Sequence, residues 1–453
     1  MHPLGRAVLD RPPAPRGPCL VVGLARSGVA AALALRALGT EVAGCDGGVV
    51  PDGVRDRLEA ADVAVWPGTD GLELLRRARS VVKSPGVPAE APVVAAARER
   101  GIEVLGELEL GWRLLPNPCI AVTGSNGKTT TTELIGHVHR KAGLPTAVAG
   151  NVGTALSSLA GESEPEAVVV VEASSFQLED TIAFAPDAAV LLNVTEDHLD
   201  RHGTLEAYRA AKLEIFARQP ASALAVAPLG PGSAGEALGG AARRVRFGAG
   251  PGADLECRAG QLWWDERAFM PTEAIRLRGA HNLENAMAAA AVCLARGIEP
   301  SAVRAGLETF AGVAHRLEEI ATIAGILYVN DSKATNVASA AVGIGSFEGG
   351  VHVILGGRGK QSDYGPLEGP VRERCRAVYL IGEAGPEIGE ALAGTDVPRS
   401  ACLDLERAVF AAQAAAAPGE VILLSPACAS YDQYSSFEER GEHFRAIVAR
   451  FAP

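Results

Sequence analysis

The sequence predicts an α/β protein of three domains, and three observations predict it. The chain has 453 residues, against the roughly 100–200 of an ordinary domain, and its 48% hydrophobic content can supply a core for each segment. Short apolar runs of strand character alternate with helix-like runs from Leu20 onward, the pattern of parallel sheets covered by helices. Several of these runs end in glycine-rich or polar turns, and the carboxyl ends of strands are where open α/β sheets hold ligands. The segments divide at residues 1–106, 107–312 and 313–453.

Composition narrows the function classes. A formal charge of −12 opposes a polyanionic partner, so no nucleic acid is expected. The longest apolar stretches, such as Ala286 to Ala295, fall short of the roughly 20 residues of a bilayer span, and no membrane span is expected. Met1 to Pro18 holds three arginines and five prolines without the apolar core of a secretory signal, which predicts a cytoplasmic location. The eight cysteines are scattered with no C-x-x-C pair, which predicts buried thiols rather than a zinc or redox site.

In the first segment, Leu20-Val21-Val22 runs into Gly23-Leu24-Ala25-Arg26-Ser27-Gly28. A helix-like run from Val29 to Leu38 and a second strand ending at Asp46 complete a βαβ unit of Rossmann type. Asp46 lies about 20 residues past the glycines, where it can accept from a ribose or a base. Ala25 replaces the middle glycine of the dinucleotide fingerprint, and its methyl hinders close approach of a pyrophosphate. Further strands, Val63 to Trp66, Ser80 to Lys83 and Ile102 to Leu105, follow, with Ser84-Pro85-Gly86 as a turn at one strand end.

The second segment opens on Ile120-Ala121-Val122-Thr123-Gly124-Ser125-Asn126-Gly127-Lys128-Thr129-Thr130, then a helix-like stretch from Thr131 to Lys141. This reads as a phosphate loop. Gly124 and Gly127 let backbone N–H groups converge on an anion, Lys128 reaches terminal phosphates, and the Thr129 hydroxyl suits Mg²⁺. The strict motif is not met, because Val122 stands at its first glycine position. The strand Ala147 to Ala149 leads into Gly150-Asn151, and the strand Ala167 to Val171 into Glu172-Ala173-Ser174-Ser175-Phe176-Gln177, which places an acid where Mg²⁺ binds in such sites. The strand Ala188 to Val194 leads into Thr195-Glu196-Asp197-His198-Leu199-Asp200, where His198 is either a ligand or a structural residue. Lys212 lies in the helical run Leu205 to Phe216 and by itself reads as a surface lysine. Short strands around Val245 and Leu262 precede Gly279-Ala280-His281-Asn282-Leu283-Glu284-Asn285, which opens a helix to Ala295; its asparagines either read a purine edge or cap the helix.

In the third segment, His315-Arg316 precedes the strand Ile326 to Val329, which ends in Asn330-Asp331-Ser332-Lys333-Ala334-Thr335-Asn336. Val351 to Leu355 leads into Gly356-Gly357-Arg358-Gly359-Lys360, and Val421 to Leu424 into Ser425-Pro426-Ala427-Cys428-Ala429-Ser430-Tyr431-Asp432. Three strand ends rich in Arg, Lys, Thr and Ser form a site suited to carboxylates and phosphates.

Taken together, the loop at 123–129, Glu172 to Gln177, Asn193 to Asp200, His281-Asn282, Asn330 to Asn336 and Ser425 to Phe437 resemble the Mur ligases over nearly the whole chain. The resemblance implies an N-terminal Rossmann-like domain for a UDP-sugar, a central P-loop ATPase α/β domain and a C-terminal Rossmann-like domain for an amino acid. It also implies ATP-dependent addition of D-glutamate to UDP-N-acetylmuramoyl-L-alanine by a cytoplasmic monomer. Roles follow by similarity. Gly124, Ser125, Asn126, Gly127, Lys128, Thr129, Thr130, Asn285, Arg316 and Asp331 would bind ATP, with Asn285 facing adenine. Thr129 and Glu172 would hold one Mg²⁺, and His198 with a CO₂-derived carbamate on Lys212 a second. Lys128, Glu172, His198, Lys212 and Arg316 would be catalytic. Ser27, Asp46, Ser84, Gly86, Asn151 and Ser174 would line the nucleotide-sugar path, and Lys333, Thr335, Lys360, Ser430 and Phe437 would surround the glutamate. The alternative readings are another ligase of this type, similar to the folylpolyglutamate synthases, which the extra segment ahead of the phosphate loop disfavours, and a non-ligating nucleotide-binding module, which has no need of the third-segment cluster.

Overall fold

The computed structural model describes residues 11–230, 238–277, 279–359 and 362–451. Its strands are β1 (Cys19–Val22), β2 (Val42–Asp46), β3 (Ala64–Pro67), β4 (Ser80–Lys83), β5 (Glu103–Gly106), β6 (Cys119–Thr123), β7 (Thr146–Gly150), β8 (Val168–Glu172), β9 (Ala188–Leu191), β10 (Leu224–Pro228), β11 (Arg243–Gly248), β12 (Leu255–Arg258), β13 (Gln261–Trp264), β14 (Arg267–Pro271), β15 (Glu318–Ile323), β16 (Ile326–Asn330), β17 (Val351–Gly356), β18 (Cys375–Ile381), β19 (Arg399–Leu403) and β20 (Val421–Leu424). They form three sheets, in the orders β3-β2-β1-β4-β5, β14-β13-β12-β11-β10-β9-β6-β8-β7 and β15-β16-β20-β17-β18-β19. The first is wholly parallel. The second ends in an antiparallel meander from β12 to β14, and β15 is an antiparallel edge on the third.

The reason lies in the strand sequences. CLVV, CIAVT and VVVVE are buried at every position, which suits parallel strands covered on both faces. Alternate residues then feed different cores. Val21 packs with Leu35, Val42 and Leu110, whereas Leu20 and Val22 pack with Val81, Val93 and Val94. The third sheet behaves alike, Val353 and Leu355 on one face and Ile354 with Phe444 on the other. Each such side chain contributes about 1.5–3 kcal/mol by leaving water.

Two compact units result. One runs to Arg276 and resumes over Ala280–Phe310, holding the first two sheets; the other continues from Ala311 and holds the third. Among the described residues no helix is long and apolar enough to cross a membrane. All eight cysteines are free thiols, six of them buried.

Element ends differ from the sequence reading where loops do the work. The first two long helices begin at Arg26 and Lys128, three residues ahead of the expected Val29 and Thr131. Gly127 sits at φ +83° immediately before the second, a conformation that costs glycine little and lets the chain turn directly into a helix. Strand β9 stops at Leu191, short of Val194, because Asn193 turns to bond the phosphate loop.

Candidate active site

In the first sheet the strand order reverses between β1 and β4, which opens a crevice beyond their carboxyl ends. The Gly23 turn lies there. An added Cβ at Gly28 would lie 1.8 Å from the Gly23 carbonyl, so close packing requires glycine at position 28. Ser84, after β4, donates its hydroxyl to the same carbonyl at 2.7 Å. Asp46, the last residue of β2, accepts the Leu24 N–H at 2.7 Å and the Gly48 N–H at 2.8 Å. The carboxylate expected to meet a ribose or base therefore also builds the turn. Ser27 is half-buried in the first helical turn, and Gly86 is exposed. Arg26 donates to the Gly153 carbonyl at 3.1 Å, near Asn151.

The phosphate loop follows β6, which lies between β9 and β8 in the second sheet. The Ser125 N–H donates to the Asn193 carbonyl at 2.9 Å, and the Asn126 N–H to Asn193 Oδ1 at 2.9 Å. Ser125 Oγ donates to the Thr195 carbonyl and accepts the Thr195 N–H, both at 3.0 Å. Thus the segment after β9 fixes the loop. The helix Lys128–Lys141 then presents its first-turn N–H groups, including those of Thr129 and Thr130, which have no intrahelical partners by geometry. Asn285 is buried, donates to Asn282 Oδ1 at 3.1 Å, and places its Oδ1 2.1 Å from where a Cβ on Gly127 would stand. Asn285 is therefore brought against the loop.

Two lysines converge on the Gly124 carbonyl: Lys128 at 2.9 Å and Lys212 at 2.8 Å. Lys212 corrects the residue-level reading of a surface lysine, since it is only 1% exposed. It shares a helix face with Tyr208 and Phe216, four residues away on either side, and that face is buried. Its Nζ lies 4.3 Å from the Tyr208 ring centroid. Burial, and then the charge of Lys128, push the amine down to about 7, Asp197 opposing. Much of it is neutral at neutral pH.

Glu172 ends β8, is buried, and accepts from Asn151 Nδ2 at 3.0 Å. Ser174 caps the short helix Ser175–Leu178 in a reciprocal pair with Gln177. Phe176 of that helix lies 4.9 Å from the exposed His198 ring, and His198 sits at φ +52° with its N–H on Asp197 Oδ1 at 2.9 Å. Among the described residues no three His, Cys, Asp or Glu side chains cluster as a metal site. The donors at hand are the oxygens of Thr129 and the buried Glu172, a hard set that fits Mg²⁺.

In the second unit the ends of the adjacent strands β16, β20 and β17 come together, as the three polar clusters predict. Asp331 is buried, accepting from Ser425 Oγ at 2.7 Å and the Leu317 N–H at 3.2 Å. Burial raises its carboxyl to about 7, the Ser425 and Leu317 hydrogen bonds and the Arg316 charge opposing. Lys333 Nζ lies 5.9 Å from the Phe437 ring centroid, and Thr335 follows with its N–H on the Lys333 carbonyl at 2.8 Å. Ser430 is buried. Lys360 lies outside the described residues. Sequence reasoning missed Arg440, which is 1% exposed and donates to Ser332 Oγ at 3.0 Å and to the Ser332 and Cys428 carbonyls at 3.0 and 3.1 Å. An arginine inside an otherwise ordinary terminal helix carries no local signal of such a role.

Three family models match along the chain: the Mur ligase MurD-like N-terminal domain over residues 18–106, the Mur ligase middle domain over 122–293 and the Mur ligase glutamate ligase domain over 315–428. The chain belongs to the Mur ligase family. Among its relatives, the UDP-N-acetylmuramoylalanine--D-glutamate ligase of Acidobacterium capsulatum is 42% identical over 95% of both chains. The protein of that name from Anaeromyxobacter dehalogenans is 43% identical over 95% of this chain and 97% of its own. Solved structures of similar fold include the UDP-N-acetylmuramate-alanine ligase MurC of Thermotoga maritima, with a TM-score of 0.62 at 19% identity over 96% of this chain and 99% of that one. A pseudomurein peptide ligase type C from Methanothermus fervidus has a TM-score of 0.56 at 17% identity, over 96% and 100%.

Proposed function

We propose that this chain is the ATP-dependent ligase that joins D-glutamate to UDP-N-acetylmuramoyl-L-alanine, releasing ADP and phosphate in peptidoglycan precursor synthesis. The observation that carries it is the end-to-end likeness to relatives bearing that activity in their names, at 42% and 43% identity. The loop geometry supports the same chemistry. ATP and a nucleotide-sugar are reagents of the cytoplasm, and the reading places a monomer there.

A carboxylate reacts with an amine only after activation, so the alanyl carboxylate attacks the γ-phosphorus of ATP and becomes an acyl phosphate. The glutamate nitrogen then adds to its carbonyl carbon, the C–O bond to phosphate breaks, and the nitrogen loses a proton. The residues of the chain manage charge. The first turn of the helix Lys128–Lys141 receives phosphate oxygens, and Lys128 offsets their charge by leaving its carbonyl partners for them. Thr129 and Glu172 would hold Mg²⁺, which when bound neutralises the transferring phosphoryl group. A carbamate on Lys212, formed by CO₂ on the neutral amine, would supply with His198 the ligands of a second ion. Asn285 orients the nucleotide, Arg316 and Asp331 meet it, and Ser27, Asp46, Ser84, Gly86, Asn151 and Ser174 line the nucleotide-sugar path. Lys333, Thr335, Lys360, Ser430 and Phe437 receive the amino acid.

The test is phosphate release with ATP and Mg²⁺. It should require both UDP-N-acetylmuramoyl-L-alanine and glutamate, and the D isomer should exceed the L isomer by about tenfold or more, because buried polar partners go unpaired with the wrong isomer. Equal rates with the two isomers, or turnover without the nucleotide-sugar, would overturn the reading.

A further inference from the structure

The turn after β4 is gripped by charged groups that the ligation chemistry does not use. Lys83, the last residue of β4, is fully buried; its Nζ donates to Asp180 Oδ2 at 2.5 Å and to the Val87 carbonyl at 2.9 Å. Asp180 lies just past the helix Ser175–Leu178, which Glu172 precedes. Its own carbonyl accepts the Gly106 N–H at 3.0 Å, and a Cβ on Gly106 would stand 2.9 Å from Asp180 Cβ. Neighbouring Glu179 pairs with Arg201 at 3.4 Å and His202 at 3.1 Å. Arg201 in turn donates to the Pro85 carbonyl at 3.1 Å, its guanidinium 4.4 Å from the Phe176 ring centroid. Two carbonyls of one short turn are therefore held by two cations, each countered by one of two consecutive acids.

A buried ion pair is by itself weak evidence of a contribution to stability. Burial pushes the Lys83 ammonium down and the Asp180 carboxyl up, their mutual attraction opposing in both cases. A buried pair of this kind is often replaceable by apolar residues of like volume at no loss. Direction is what it adds, since an ion pair with fixed hydrogen bonds specifies one placement where an apolar contact tolerates several.

We propose that Lys83 and Asp180, seconded by Arg201 and Glu179, are a positioning set that fixes the Ser84–Val87 turn to the segment carrying Glu172 and His198. The turn borders the crevice of the first sheet, so the set holds the nucleotide-sugar's wall in register with the phosphate loop. That last consequence rests on the proposed function; the pinning of the turn does not.

The test is the double variant Lys83→Met/Asp180→Leu, which removes both charges and keeps the volume. Amide hydrogen exchange at Ser84 and Val87 should accelerate about tenfold or more while that of Gly124 to Thr130 stays unchanged. KM for UDP-N-acetylmuramoyl-L-alanine should rise about tenfold, with kcat and KM for ATP within about threefold of the parent. Unchanged exchange overturns the pinning, and equal rises in both KM values overturn the positioning role. A double variant that fails to fold also overturns it, since the pair would then be a stabilising element. If the parent enzyme does not turn over the nucleotide-sugar, the functional reading has failed, and the exchange measurement still decides the inference.

Discussion

Single residues in this protein take on properties that their immediate surroundings dictate. Lys212 is the sharpest example, a lysine driven toward neutrality by burial and by Lys128. An ammonium has no lone pair for a metal, whereas a carbamate offers anionic oxygens. Intact mass under CO₂-retaining conditions should therefore show a carbamate on Lys212. Lys212→Ala should lose most activity and regain part of it with formate or acetate; normal activity in that variant would remove the residue from the site. Asp331 gives a second prediction. With its carboxyl raised to about 7, the folded state keeps a proton that the unfolded chain releases near pH 4. Stability is thus present below pH 4 and lost as pH rises through 7. Asp331→Asn should raise the melting temperature at pH 8, each kcal/mol being worth about 2–4 °C in folding units of this size, and should leave it nearly unchanged at pH 4. A lower melting temperature at pH 8 would contradict a carboxyl held protonated by burial. The Asp331 property was not legible in the sequence, and that of Lys212 only in part, through its neighbours Tyr208 and Phe216 and the family resemblance. Periodicity places Lys212 on a face without saying how deeply that face is covered, and the environment of Asp331 comes from Ser425, 94 residues away.

At the level of elements the sequence was far more informative. The apolar runs became strands almost where they stand, because fully buried parallel strands need unbroken apolar sequence. Errors lay at the ends. Helices began early and β9 stopped short because loop bonds, made between distant segments, decide where an element stops. The phosphate loop shows both sides: its glycines were readable, yet its bracing by Asn193, Thr195 and Asn285 was not. Gly127→Ala should weaken ATP binding about tenfold or more, since the residue has φ +83° and its methyl would meet Asn285 Oδ1. Lys128→Ala should cut ligation about 10²-fold or more with the fold intact, that being a usual cost of deleting a preorganised charge. Near-normal turnover in a folded Lys128→Ala protein would reject the loop's role.

Over the whole molecule the predicted three-part α/β organisation appears as three sheets, the first two sharing one compact unit. A chain truncated after Phe310 should then fold, and ATP with Mg²⁺ should raise its melting temperature, because a ligand that binds only the folded form stabilises it. No ligation should be detectable. Absence of a cooperative melt would show that the first unit depends on the second. The free thiols have a practical consequence. Burial raises all eight above their ordinary range, so few thiolates are available to react at neutral pH. A maleimide dye or spin label should accordingly choose an engineered exposed cysteine over every native one. Reporter pairs can be installed on the natural sequence, without first stripping its cores of sulfur.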